Sequence, residues 1–131
     1  MMFLIDSSAW IEYFRPQGSD KVKKRVREIL SKEEAVTCGV VVVEILRGAL
    51  DKKTHESLKE AMLALPQVPL DDTAIERAGE WGFRGDRRGR AVPTTDLLIG
   101  AAAFKKAIVL HCDRDFQFLS SAFGLDQEYC G

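Results

Sequence analysis

An α/β fold, with a mostly parallel central sheet and helices on both of its faces, is what this 131-residue sequence predicts. Three observations carry the prediction. Short apolar runs suited to buried strands occur at residues 2–5, 34–38 and 107–110. Between them lie segments whose apolar residues recur at helical spacing, so helices separate successive strands, as parallel pairing requires. The length and a hydrophobic content of 46% suit one domain with a substantial core.

The elements follow in order. Residues 2–5 read as a short buried strand. Ser7 to Phe14 is a helix with Asp6 or Ser7 at its N-cap, where a side-chain oxygen meets a free amide of the first turn. Pro16-Gln17-Gly18 ends it. A second helix opens at Ser19 or Asp20 and aligns Val22, Val26, Ile29 and Leu30 on one stripe. Residues 34–38 suit a second strand. The stretch from Val40 to Arg47 pulls two ways: its run of valines favours strand, yet Glu44 to Leu50 has helical character. Residues 52–65 form an amphipathic helix ended by Pro66. Val68-Pro69-Leu70 is at most a short edge strand, because proline cannot donate to a ladder. Asp72 caps a helix that runs into the Gly/Arg-rich segment 82–90. Thr94 or Thr95 opens an apolar helix continuing to Lys106. Ala107 to Leu110 is a buried strand, and a polar turn follows it. No repeat, low-complexity tract or linker divides the chain, so residues 1–131 are expected to be one domain.

Composition narrows the function. With 30% charged residues, this is the profile of an ordinary soluble protein. No apolar run approaches the roughly 20 residues that span a bilayer, and the N-terminus lacks the features of a secretory signal. The 3 cysteines (Cys38, Cys112, Cys130) are odd in number, widely spaced and without a CxxC pair. They argue against a disulfide framework or a zinc site, and for a reducing, cytoplasmic setting. A formal net charge of -1 gives no global pull toward a polyanion. Any such binding must come from local patches or a bound cation.

The informative residues are acids beside apolar sequence, where an unpaired charge is expensive. Asp6 ends the first strand in "FLIDSSAW". Glu44 stands alone in "GVVVVEIL", and Asp96 lies in the first turn of the apolar helix "TTDLLIGAAAF". Asp113 and Asp115 follow the strand 107–110 in "IVLHCDRDF". Each has a plain structural explanation. Asp6 could cap a helix, Asp96 could complement a helix dipole, Glu44 could pair with Arg47, and Asp113 and Asp115 could be turn residues, with Asp115 capping "FQFLSS". What favours a site is that four separate segments supply acids, several at the carboxyl ends of strands, where open α/β sheets bind ligands. Gathered carboxylates repel one another and their pKa values rise. A divalent cation relieves this, and oxygen donors with few His or Cys suit Mg²⁺ or Mn²⁺. Such a centre can activate water and hold phosphate oxygens for phosphodiester hydrolysis.

On "LIDSSAW", "EILRG" at 44–48, "TTDLLIGAAA" at 94–103 and "HCDRDF" at 111–116, the sequence resembles the PIN-domain ribonucleases, and within them the VapC-type toxins of toxin–antitoxin pairs. The resemblance spans nearly the whole chain. It implies a PIN-like three-layer α/β/α sandwich and a Mg²⁺- or Mn²⁺-dependent endoribonuclease. It also implies metal ligands at Asp6 and Asp96, with another from Asp113 and Asp115. Glu44 would complete the acidic site, directly or through water. Val40 to Leu50 becomes a helix on this reading. The crowded "DRD" leaves the last ligand open between Asp113 and Asp115. A homodimer and an inhibiting antitoxin are the implied partners, with RNA as substrate.

In "FRGDRRGR", Arg87, Arg88 and Arg90, with Arg84, are candidates to grip RNA phosphates; the alternative is a solvated loop or a surface for an acidic partner. The Lys/Arg cluster at 21–27 reads as the exposed face of a helix. A haloacid-dehalogenase-like phosphatase would need an acid where Ser8 stands. A phosphate-receiver domain would need paired early acids. A PIN-like binding module that no longer cleaves is the alternative from another class, and the full set of acids argues against it.

Overall fold

The computed structural model describes residues 1–131. Eleven elements run in the order β1 (Phe3–Ile5), α1 (Ser7–Phe14), α2 (Asp20–Ser31), β2 (Ala35–Val36), α3 (Gly39–Arg47), α4 (Lys52–Leu63), α5 (Asp72–Arg87), α6 (Thr94–Ala103), β3 (Ile108–His111), α7 (Arg114–Phe123) and β4 (Gln127–Tyr129). The four strands form one wholly parallel sheet in the order β2-β1-β3-β4. Helices cover both faces, the three-layer arrangement that helical crossovers between parallel strands produce. No helix is long and apolar enough to cross a membrane.

The two central strands explain where the chemistry goes. Leu4, Ile5, Val109 and Leu110 are all fully buried, and each large apolar side chain so buried contributes about 1.5–3 kcal/mol. Ile5 pairs with Leu110 in register, so the chain leaves β1 and β3 side by side at the same edge. Asp6 donates its amide to the Leu110 carbonyl at 2.9 Å, continuing the ladder by one bond. Both strands then turn directly into helices, α1 and α7.

Local departures from the sequence reading have physical reasons. The valine run is helix, as the resemblance implied: α3 buries Val41, Val42 and Ile45 on one face, and that packing outweighs intrinsic strand preference. Val68–Leu70 is not a strand; residue 67 makes a single bridge to Thr37, and Pro69 has no amide with which to extend it. Asp71 rather than Asp72 caps α5, accepting from the Ala74 amide at 2.9 Å. Asp113 rather than Asp115 caps α7. Helix α6 stops at Ala103 because Phe104 turns extended and Lys105 takes a positive φ of 61°. Strand β4, at the sheet edge beyond β3, was not expected: "QEY" has no apolar run to mark it.

One glycine is required by close approach. A Cβ on Gly18 would lie 1.8 Å from the Glu12 carbonyl oxygen, where the chain folds back on α1. Gly18→Ala should therefore cost at least the roughly 1–3 kcal/mol typical of overpacking, because the obstacle is rigid backbone. Urea unfolding of the purified variant checks this; an unchanged midpoint would refute the close approach.

Candidate metal centre

Asp6 answers two demands at once. Its Oδ2 caps α1, accepting from the Ser8 amide at 3.1 Å and the Ser8 hydroxyl at 2.5 Å. Its Oδ1 is buried and has no protein partner. The carboxyl is only 2% exposed, and burial pushes its pKa up against the opposing bonds from Ser8. The Ser8 hydroxyl in turn accepts from the Cys112 amide at 3.0 Å, tying the end of β1 to the end of β3.

Asp113 caps α7 through Oδ1, which accepts from the Asp115 amide at 2.9 Å. Its own amide donates to His111 Nδ1 at 3.0 Å. His111 is wholly buried, with its other ring nitrogen 2.6 Å from Gln127 Oε1 on β4. This histidine braces the protein interior, with both ring nitrogens engaged by protein groups.

Asp96 arrives from the other side, in the first turn of α6, and is 8% exposed. Its helix is preceded by Pro93 with no side-chain cap bond, so capping does not explain the acid. Burial first, and then the charges of Asp113 and Asp6, push its carboxyl up to about 8; in the protonated form it hydrogen-bonds Asp113. Asp96, Asp113 and Asp115 each offer an oxygen within 4.8 Å of the others. Glu44, on α3, is bound by the Ser7 hydroxyl at 3.1 Å rather than by Arg47. Burial raises its pKa, and the Asp6 charge adds to the effect. Beside it runs a groove of about 670 Å³, lined by Ser7, Ile11, Val43, Glu44, Thr95 and Leu98.

The arginines divide. Arg90 turns into the acidic cluster: its Nη2 and Nε donate to Asp115 Oδ1 at 2.9 and 3.3 Å. Arg87 folds over its own helix, 3.4 Å above the Phe83 ring centroid and bonded to the Phe83 carbonyl. Arg84 pairs with Glu80, and Arg88 faces the Phe123 ring at 5.5 Å. Sequence reasoning did not foresee that a cation would join the acids. Nothing in "RRGR" distinguishes Arg90 from its neighbours; the pairing spans 25 positions and depends on how α5 and α7 pack.

The donor set fits a divalent cation. It is all oxygen, burial and then the neighbouring carboxylates raise Asp96, and Asp6 Oδ1 is an orphaned buried acceptor that a cation would satisfy. Neither Cys112 nor His111 intrudes: the Cys112 sulfur lies 3.7 Å from that of Cys130, and both nitrogens of His111 are engaged.

The parallel α/β sheet brings acids from separate segments together as an all-oxygen donor set that could hold a cation. Residues 3–120 match the family profile of the PIN domain, and the chain belongs to that family. It is 41% identical over 124 residues to ribonuclease VapC11 of Mycobacterium tuberculosis, covering 91% of this chain and 92% of the relative. It is 28% identical over 134 residues to ribonuclease VapC18 of the same organism, covering 98% and 95%. Among solved structures, VapBC2 from Rickettsia felis bound to a promoter DNA fragment superposes with a TM-score of 0.78 at 16% identity, over 98% of each chain. FitAcB from Neisseria gonorrhoeae gives 0.76 at 20% identity, over 96% of each.

Proposed function

We propose that this chain is a divalent-metal-dependent endoribonuclease that acts as the toxin of a toxin–antitoxin pair. The observation that carries the reading is the convergence of Asp96, Asp113 and Asp115 oxygens within 4.8 Å, beside an Asp6 whose charge acts on Asp96 and whose buried Oδ1 has no protein partner. Identity to proteins named ribonuclease supports the same chemistry. Asp6 and Asp96, with Asp113 or Asp115, would hold Mg²⁺ or Mn²⁺. The bound cation would supply Lewis acidity toward a phosphodiester and lower the pKa of a water.

The chain's own groups do the rest. Ser8 fixes the rotamer of Asp6, and His111 fixes the backbone of Asp113. Ser7 occupies Glu44 Oε1, leaving Oε2 to take a proton from the attacking water. An antitoxin partner, a homodimeric state and a cytoplasmic location belong to the same proposal. The toxin–antitoxin complexes among the structural neighbours support the first of these.

The deciding experiment is cleavage of a structured RNA by purified protein, with Mg²⁺ or Mn²⁺ and with EDTA. Cleavage is expected only with metal, and equal cleavage in EDTA would overturn the proposal. Arg87 and Arg88 are expected to bind phosphates outside the centre. Replacing both with Ala should flatten the dependence of RNA affinity on log salt by about 0.7 for each phosphate no longer neutralised, with Mn²⁺ affinity unchanged. An unaltered salt slope would remove them from the RNA interface.

A further inference from the structure

We infer that Arg90 is the cation with which this site grips a substrate phosphate, and that Asp115 positions Arg90 instead of binding the metal ion. The inference rests on the phosphodiesterase reading above and deepens it.

Arg90 is a built feature, unlike a free surface side chain. It follows a turn in which Gly89 takes a φ of 76°, and its amide donates to the Gly85 carbonyl at 2.9 Å. Gly85 is buried at that contact, and a Cβ there would stand 3.0 Å from the Arg90 carbonyl oxygen. The guanidinium then lies over the Phe118 ring, 5.3 Å from its centroid. Stacked from one side, it meets Asp115 through Nε and Nη2, both on the single oxygen Oδ1. Nη1 and the second hydrogen of Nη2 have no partner in the protein. The arginine is 42% exposed and the aspartate 20%, so the unused donors face outward. A guanidinium held by one edge and offering the other is arranged to take two oxygens of a phosphate.

The carboxylates differ in the same sense. Asp6 has a buried oxygen with no partner, and Asp113 spends one oxygen on a helix amide. Asp115 alone among the clustered acids is already neutralised by a protein cation. A divalent ion on Asp115 Oδ1 would sit against the guanidinium, and like charges at such range repel. Yet an Asp115 oxygen lies within 4.8 Å of oxygens of Asp96 and Asp113. Arg90 is therefore close enough to share a phosphate with an ion held by the other acids, the arrangement that best stabilises charge developing on phosphate oxygens.

The test compares the parent with Asp115→Asn, Arg90→Ala, Arg90→Lys and the Asp115→Asn/Arg90→Ala double variant. Mn²⁺ affinity is measured by calorimetry, and RNA cleavage under single-turnover conditions in saturating Mn²⁺. Both single neutral variants should keep Mn²⁺ affinity within about threefold and lose cleavage by about tenfold or more. The double variant should be no slower than Arg90→Ala, since the two residues act as one unit. Lys should restore little, lacking the fork. A tenfold or greater loss of Mn²⁺ affinity in Asp115→Asn would make Asp115 a ligand and overturn the inference, as would undiminished cleavage by Arg90→Ala. Should the parent itself fail to cut RNA, the ribonuclease reading falls, while the Mn²⁺ titration of Asp115→Asn still decides the ligand assignment.

Discussion

Asp96→Asn should abolish metal-dependent RNA cleavage while leaving the metal-free protein as stable as the parent, or more stable. Asn keeps the shape of Asp but cannot become the anion that a bound cation requires. In the parent, Asp96 is held beside Asp113 and Asp6 and is nearly shielded from water. Loss of a ligand charge at a centre that must stabilise an anionic transition state should lower the rate by about 10³-fold or more, at the upper end of single-group losses. Metal-free stability should not fall, because burial already holds the Asp96 carboxyl up at about 8, protonated at neutral pH, and Asn is likewise neutral in the same buried place. No cap is lost, since Asp96 makes no capping bond to α6. Added Mn²⁺ at about 100 times its Kd should stabilise the parent by roughly 2.7 kcal/mol and the variant far less. Thermal melts of both proteins in EDTA and in Mn²⁺, paired with an RNA cleavage assay, read all three effects. A variant that still cuts RNA and still responds to Mn²⁺ would show that Asp96 is no ligand.

Raising the pH from 6.5 to 8 should destabilise the metal-free parent. Asp96 titrates near 3.8 in the unfolded chain and about 8 in the fold. Between those values the folded state binds a proton that the unfolded state does not. Its contribution is therefore greatest on the acid side and declines as pH rises toward the folded value. The slope from one such proton is up to about 1.4 kcal/mol per pH unit. The window starts at 6.5 because buried His111 has a lowered pKa, so below its ordinary value of 6.5 it opposes the trend by favouring the unfolded, protonated state. With saturating Mn²⁺ the trend should reverse, since the ion binds the deprotonated carboxylate and competes with the proton. Melts at pH 6.5 and 8, in EDTA and in Mn²⁺, test the pair of signs. A metal-free melting temperature that rises with pH, or one that falls equally in Asp96→Asn, would contradict a protonated Asp96 as the cause.

Much of this molecule was legible in the chain, and the reason is local. Apolar runs at 2–5 and 107–110 mark strands because a strand buried on both faces has no place for polar residues. Helical stripes such as Val22, Val26 and Ile29 mark α2 because only one face meets the core. The acids Asp6, Glu44, Asp96, Asp113 and Asp115 stood out because a carboxylate beside such runs must have a purpose. Other features depended on partners distant in sequence. The valine run became helix because, as a helix, it buries Val41, Val42 and Ile45 against its neighbouring helices α1, α4 and α6. Strand β4 exists because β3 offers it a free edge, not because "QEY" prefers extension. Which oxygen of Asp6 is spoken for, and which is left bare, was settled by Ser8 and by the Cys112 amide, more than 100 positions away from it. The same holds for Arg90, one arginine among several in the sequence, which becomes the partner of Asp115 only when α5 and α7 are packed together. Residue type and spacing can nominate a carboxylate. Only the packing of elements far apart in the chain decides whether it meets another acid, a hydroxyl or a guanidinium, because electrostatic and hydrogen-bond energies depend on separation in space and not in sequence.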